Sequence, residues 1–176
     1  MLCDATLNMH RWPGCDVWLS GATVLIEILY LTSSLLLGLL MGSLLTEAVV
    51  LVPYWRLMDA QQFLNLHGSL GPKLYLYFSP LTIAATVLLI AAALAPLVFT
   101  AQVSWLAVVP EVLVLTMLGI FFVYFKGANE SLKNGSVGVE SLAAALERWA
   151  RCHWVRVGQA LAAFLASLIV IEPNWT

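Results

Sequence analysis

The chain has 176 residues, of which 61% are hydrophobic and 10% charged, with a net charge of −2. A soluble domain is about half apolar and about a quarter charged, so this composition excludes an ordinary globular protein and points to the membrane. No run of basic residues offers a surface to nucleic acid.

Residues 1–21 are mixed in character, with Asp4, Asn8, Arg11 and Asp16 among apolar neighbours. A positive start leading directly into an apolar core is missing, so the segment reads as exposed or interfacial and not as a cleaved signal. Trp12 and Trp18 suit the headgroup level. Cys3 and Cys15 can pair if this segment faces an oxidising compartment, and otherwise are two free thiols; Cys152 is far from both.

Residues 22–172 form the transmembrane domain, followed by a short tail at 173–176. A span needs about 20 consecutive apolar residues. Four stretches qualify: 22–52, 74–100, 105–125 and 149–171. In lipid the backbone must satisfy its own hydrogen bonds, so these are helices. The segment 56–68 between the first two spans reads as a short amphipathic helix lying on the membrane. The second and third spans meet at a tight loop near 101–103. A polar turn over 126–138 precedes the last span, and the helix of that span has a more polar approach from about Val137. The fold class is therefore an all-α membrane protein, an up-down-up-down four-helix bundle with an interfacial helix between spans one and two.

Seven of the eight lysines and arginines lie in or beside two connections: Arg56 and Lys73, then Lys126, Lys133, Arg148, Arg151 and Arg156. The positive-inside tendency makes both connections cytoplasmic and puts both termini on the other side. On the first span Ser34, Gly38 and Gly42 recur every four residues. Small residues at this spacing let helices approach closely, either inside the bundle or against a partner helix.

Ionisable groups at membrane depth are costly and need a reason. Glu27 and Glu111 lie toward the outer ends of their spans, within reach of the interface. Glu47 lies deep in an apolar run. Trp149, His153 and Arg156 are spaced i, i+4, i+7, which puts them on one helix face. That face is either an interfacial anchor or a polar stripe pointing into the bundle. The topology above carries Glu47, His67, Asn129, Trp149, His153 and Arg156 to the same, cytoplasmic end.

The segment ERWARCHWVRVGQALAAF resembles the W-x3-H-x2-R signature of a small four-helix membrane family that includes the fungal anthrone oxygenases. GANESLKNG is similar to that family's Asn segment after the third span. GSLLTEAVVLVPYW and HGSLGP are similar to its first span and the loop behind it. The likeness covers about residues 36–168; where relatives carry proline two residues before the Asn, this chain has Gly127. The resemblance implies oxygenation of a lipophilic phenolic or anthrone-like substrate entering from the lipid. His153 would be the base, Arg156 the oxyanion partner, Trp149 a stacking surface and Asn129 a hydrogen-bond donor. Glu47 or His67 would orient His153.

No cofactor is required for that chemistry, because an ionised substrate of this kind reacts with dioxygen directly. A second version places iron or copper on His67, His153 and Glu47, the composition of a two-histidine, one-carboxylate site. Nothing in the spacing favours haem. The competing class is a non-catalytic accessory subunit of a larger membrane complex, with the polar residues forming an internal network. A transporter or channel is disfavoured by the absence of a broken helix pair or internal repeat.

Overall fold

A computed structural model of the protein describes residues 15–99 and 105–171. Cys3, Trp12, the 101–103 loop and the tail at 173–176 lie outside the described residues, as does the side chain of Cys15. Among the described residues there is no strand. Helix α1 (Cys15–Thr46) runs through a π-helical turn (Glu47–Leu51) into α2 (Val52–Leu57). Helix α3 spans Ala60–Phe99. A 3-10 turn (Trp105–Ala107) leads into α4 (Val108–Ile120), a second π-helical turn (Phe121–Phe125) and α5 (Lys126–Lys133); α6 spans Val139–Ile171. Four continuous helical segments are long and apolar enough to cross a bilayer, and the chain is a multi-pass integral membrane protein.

Three core layers fix the topology. One joins Ile26 and Tyr30 to Ala92, Ala95, Ala107 and Val170. The middle layer joins Leu37, Leu40 and Leu44 to Ala85, Leu89, Val114, Met117 and Val157. The third joins Val52 and Trp55 to Phe63, Phe125, Leu142, Leu146 and Trp149. Residue numbers rise through the layers in the first and third segments and fall in the second and fourth, so the helices alternate up and down. Lipid replaces water as the outer solvent, which is why Leu35, Leu39, Val87, Val123 and Leu165 are exposed on helices that are apolar all round.

The helices run further than their apolar stretches. The segment 56–68 is not a separate interfacial helix: Met58 is extended, and α3 begins immediately afterwards. The Asp59 carboxylate caps that start, accepting from the backbone N–H groups of Gln61 at 2.9 Å and Gln62 at 3.4 Å. The polar turn after the third span is likewise shorter than 126–138. Helix α5 buries Leu132 and continues to Lys133 before the turn at Gly135, whose φ of 69° suits glycine.

The small-residue stripe serves packing inside the chain at two of its three positions. The Ser34 hydroxyl donates to the Ser167 hydroxyl of α6 at 2.9 Å in the buried interior. At Gly38 a Cβ would stand 3.1 Å from the Phe164 ring, whereas at Gly42 it would meet nothing within 4 Å. A Gly38→Leu variant should therefore lose about 1–3 kcal/mol through overpacking, read as a lower thermal midpoint in detergent. Gly42→Ala should leave the midpoint unchanged or slightly raised.

Candidate functional site

The π-turn Glu47–Leu51 interrupts the first span one residue after Thr46, and the Val52 N–H closes it by reaching the Glu47 carbonyl. Its wider turn keeps Glu47, Ala48 and Val52 buried together. The second π-turn does the same on the neighbouring segment, delivering Phe125 inward. Such turns occur often at functional sites, because they re-aim side chains that a regular helix would direct elsewhere.

Between these turns lies the face of α6 that carries Trp149, His153 and Arg156, and all three are buried. The i, i+4, i+7 stripe thus points into the bundle and is no interfacial anchor. The exposed fraction is 0% for His153, 6% for Glu47 and 8% for Arg156, values that for ionisable side chains imply a specific environment.

His153 is fixed on several sides. Its Nε2 lies 2.9 Å from the Leu44 carbonyl oxygen of α1 and 3.7 Å from Glu47 Oε2. A carbonyl oxygen only accepts, so Nε2 carries the hydrogen. In the neutral ring Nδ1 then holds a bare lone pair, and that atom is buried without a hydrogen-bond partner. The Trp149 indole stacks on the imidazole with centroids 4.9 Å apart and planes at 15°. Trp149 is held in turn by its Nε1–H, which donates to Asn129 Oδ1 at 2.8 Å. The guanidinium carbon of Arg156 sits 4.6 Å above the centre of the Phe125 ring, a cation–π contact strengthened by desolvation. Arg156 Nε also lacks a partner.

Five of the residues singled out from sequence therefore converge: Glu47, Trp149, His153 and Arg156 directly, and Asn129 through the indole. His67 does not join them. It is buried against Phe63 (5.4 Å, stacked) and Trp55 (6.0 Å, edge-on), and Trp55 in turn packs edge-on to Trp149 at 6.0 Å. The proposed ligand set of His67, His153 and Glu47 is consequently not assembled: no three His, Cys, Asp or Glu side chains among the described residues are grouped to hold a metal ion. His67 cannot orient His153 from this position; Glu47 can. Asn129 acts on Trp149, because it lies on helix α5 and not in a loop.

The two outer carboxylates stand apart from this centre. Glu27 is exposed. Glu111 occupies the first turn of α4, where a carboxylate is favoured by the helix dipole.

Trp55 and Phe125, the aromatic neighbours of Trp149, and the Leu44 carbonyl are not singled out by the sequence. A backbone acceptor leaves no mark in a sequence. Trp55 and Phe125 were available as aromatic residues flanking the basic connections.

The structure defines a class: a four-helix membrane protein with a dry, aromatic-walled polar centre at the end of the bundle where its basic residues gather. No known protein family matches the chain, and neither does any curated protein or solved structure.

Replacing Asn129 by leucine leaves the buried indole N–H without its acceptor. The expected loss is about 1–3 kcal/mol, measured by chemical or thermal unfolding in detergent. An equal loss in the Trp149→Phe background would show that the amide acts elsewhere.

Proposed function

We propose that this chain is a membrane-embedded oxygenase of a lipophilic phenolic or anthrone-like substrate, with His153 as its base. The observation that carries the reading is that His153 Nδ1 and Arg156 Nε, both in the polar centre, are buried without a hydrogen-bond partner; among the described residues His67 Nδ1, the Glu111 carboxylate and Gln159 Oε1 share that state, but lie outside this centre. A buried unsatisfied donor or acceptor costs about 1–3 kcal/mol. A purely structural network gives no return for leaving such atoms bare, whereas a substrate hydroxyl can donate to Nδ1 and a substrate oxygen can accept from Nε.

His153 Nδ1 takes a proton from the ring-activated carbon or phenol, while Nε2–H stays bound to the Leu44 carbonyl and beside Glu47. The substrate anion is stabilised by the fixed charge of Arg156 in a low-dielectric site. Its electron pair then forms a carbon–oxygen bond to dioxygen, which becomes the peroxide. At a methylene carbon, loss of water removes the second C–H proton, cleaves the O–O bond and leaves a carbonyl. One dioxygen is consumed and one water released, and both electron pairs come from the substrate. No cofactor is needed in this version. The aromatic walls keep water from the anion, and Trp149 must swing off His153 to admit the ring.

The basic residues support an orientation with this centre on the cytoplasmic side. Arg56, Lys73, Lys126, Lys133, Arg148 and Arg151 all belong to the segments that form its end of the bundle.

A second reading, an accessory subunit of a larger complex, is favoured by the tight closure of Trp149 and Phe125 over His153. The two are separated by assay of the purified protein with anthrone or a hydroxynaphthalene. An oxygenase consumes dioxygen and substrate in equal amounts. His153→Ala should then lower kcat by about 10²–10⁴, the contribution of a general base, without changing the thermal midpoint by more than the cavity demands. A preparation that is inert toward both compounds, and that copurifies with partner chains in fixed ratio, contradicts the oxygenase reading.

A further inference from the structure

The imidazole-stacked indole of Trp149 has a second environment. Trp149 also lines a cavity of about 280 Å³, together with Tyr124, Ala128, Ser131, Ala145 and Arg148. The volume lies just below the roughly 300–1,000 Å³ of small-molecule sites, and it is enough for one compact ring system. The lining is mostly apolar, with the guanidinium of Arg148 as its charged group. On the other side of Tyr124 a broad apolar groove runs along the lipid face of α4, past Val112, Leu115, Gly119 and Val123. Tyr124 belongs to both hollows.

The second π-turn explains how one short segment serves both. Tyr124 and Phe125 are successive residues in it, with their rings edge-to-face at 5.2 Å. Phe125 is fully buried against Trp149 and His153, while Tyr124 is half-buried and lines the cavity. Trp149 is thus the partition between the cavity and His153. Gly119 leaves the groove open, since a Cβ there would meet nothing within 4 Å.

We propose that the cavity behind Trp149 is the receiving site for an ionisable aromatic molecule, a phenol or its phenolate, delivered from the bilayer along the α4 groove past Tyr124. The ring system lies against Trp149 and Ala145, and its ionised oxygen pairs with Arg148. This inference rests on the substrate class proposed above, but not on turnover.

The test is photolabelling of the detergent-solubilised full chain with 4-hydroxybenzophenone, and with unsubstituted benzophenone as control, read by peptide mass spectrometry. Labelling of the 124–131 and 145–149 segments by the hydroxylated probe is expected. Gly119→Phe and Ala145→Phe should each reduce it by about tenfold, a factor that corresponds to about 1.4 kcal/mol. Gly119→Phe fills only open space and guards against misfolding of the second variant. Arg148→Gln should abolish the preference for the hydroxylated probe, and His153→Ala should leave labelling intact. Label spread over the lipid-facing helices, insensitive to both fillers, would overturn the proposal, as would an undiminished preference in Arg148→Gln. Labelling that follows the expected pattern in a protein with no oxygenase activity would uphold the cavity and sink only the catalytic reading.

Discussion

The contact on which the polar centre depends is the hydrogen bond from the His153 ring to the Leu44 carbonyl, which ties the fourth span to the first. Both residues are buried here, with Glu47 and Arg156 as the neighbouring charged side chains, and an imidazole in such surroundings is costly unless its polar atoms are accounted for. This bond accounts for one ring nitrogen and sets the tautomer. The stacked Trp149 fixes the ring plane, and Asn129 fixes Trp149. The order of dependence therefore runs from a backbone carbonyl outward to a side-chain base, then to an indole, then to an amide on a third segment.

The π-turns make this arrangement compatible with four long spans. A regular helix gives inward positions at fixed intervals, and packing of the middle layer uses Leu37, Leu40 and Leu44 at that spacing. Widening a single turn behind Leu44 brings Glu47 and Ala48 inward together. Widening another in the third segment points Phe125 at Trp149 while Tyr124 lines the neighbouring cavity. Both deviations fall beside the ionisable residues, and the first also carries Ala48 into the middle layer. That placement fits irregular geometry kept for a site and not left over from poor packing.

Much of this was readable in the residues themselves. Spans, their alternation and the i, i+4, i+7 stripe follow from apolar length and helical periodicity, which dominate in lipid. That Glu47 lies at the same end of the bundle as Trp149, His153 and Arg156 follows from span order. Other features were not readable. The segment after Met58 looked interfacial because Asn, Gln and His alternate with leucines there, yet Asp59 caps the helix and it runs on into the second span. His67 shares this end of the bundle with His153, but its ring packs on Phe63 and Trp55. Sequence gives depth along the bundle, and the side to which a residue turns within a layer depends on the register shifts that π-turns introduce.

The central claim is that His153 is held through Nε2–H with Nδ1 left bare. Solid-state NMR of the protein in lipid bilayers, labelled with ¹⁵N at histidine and ¹³C at the leucine carbonyls, reads both nitrogens directly. A protonated Nε2 close to the Leu44 carbonyl carbon, with an unprotonated Nδ1, is the expected result. A ring protonated at Nδ1 alone, or with no proximity to Leu44, would contradict the account.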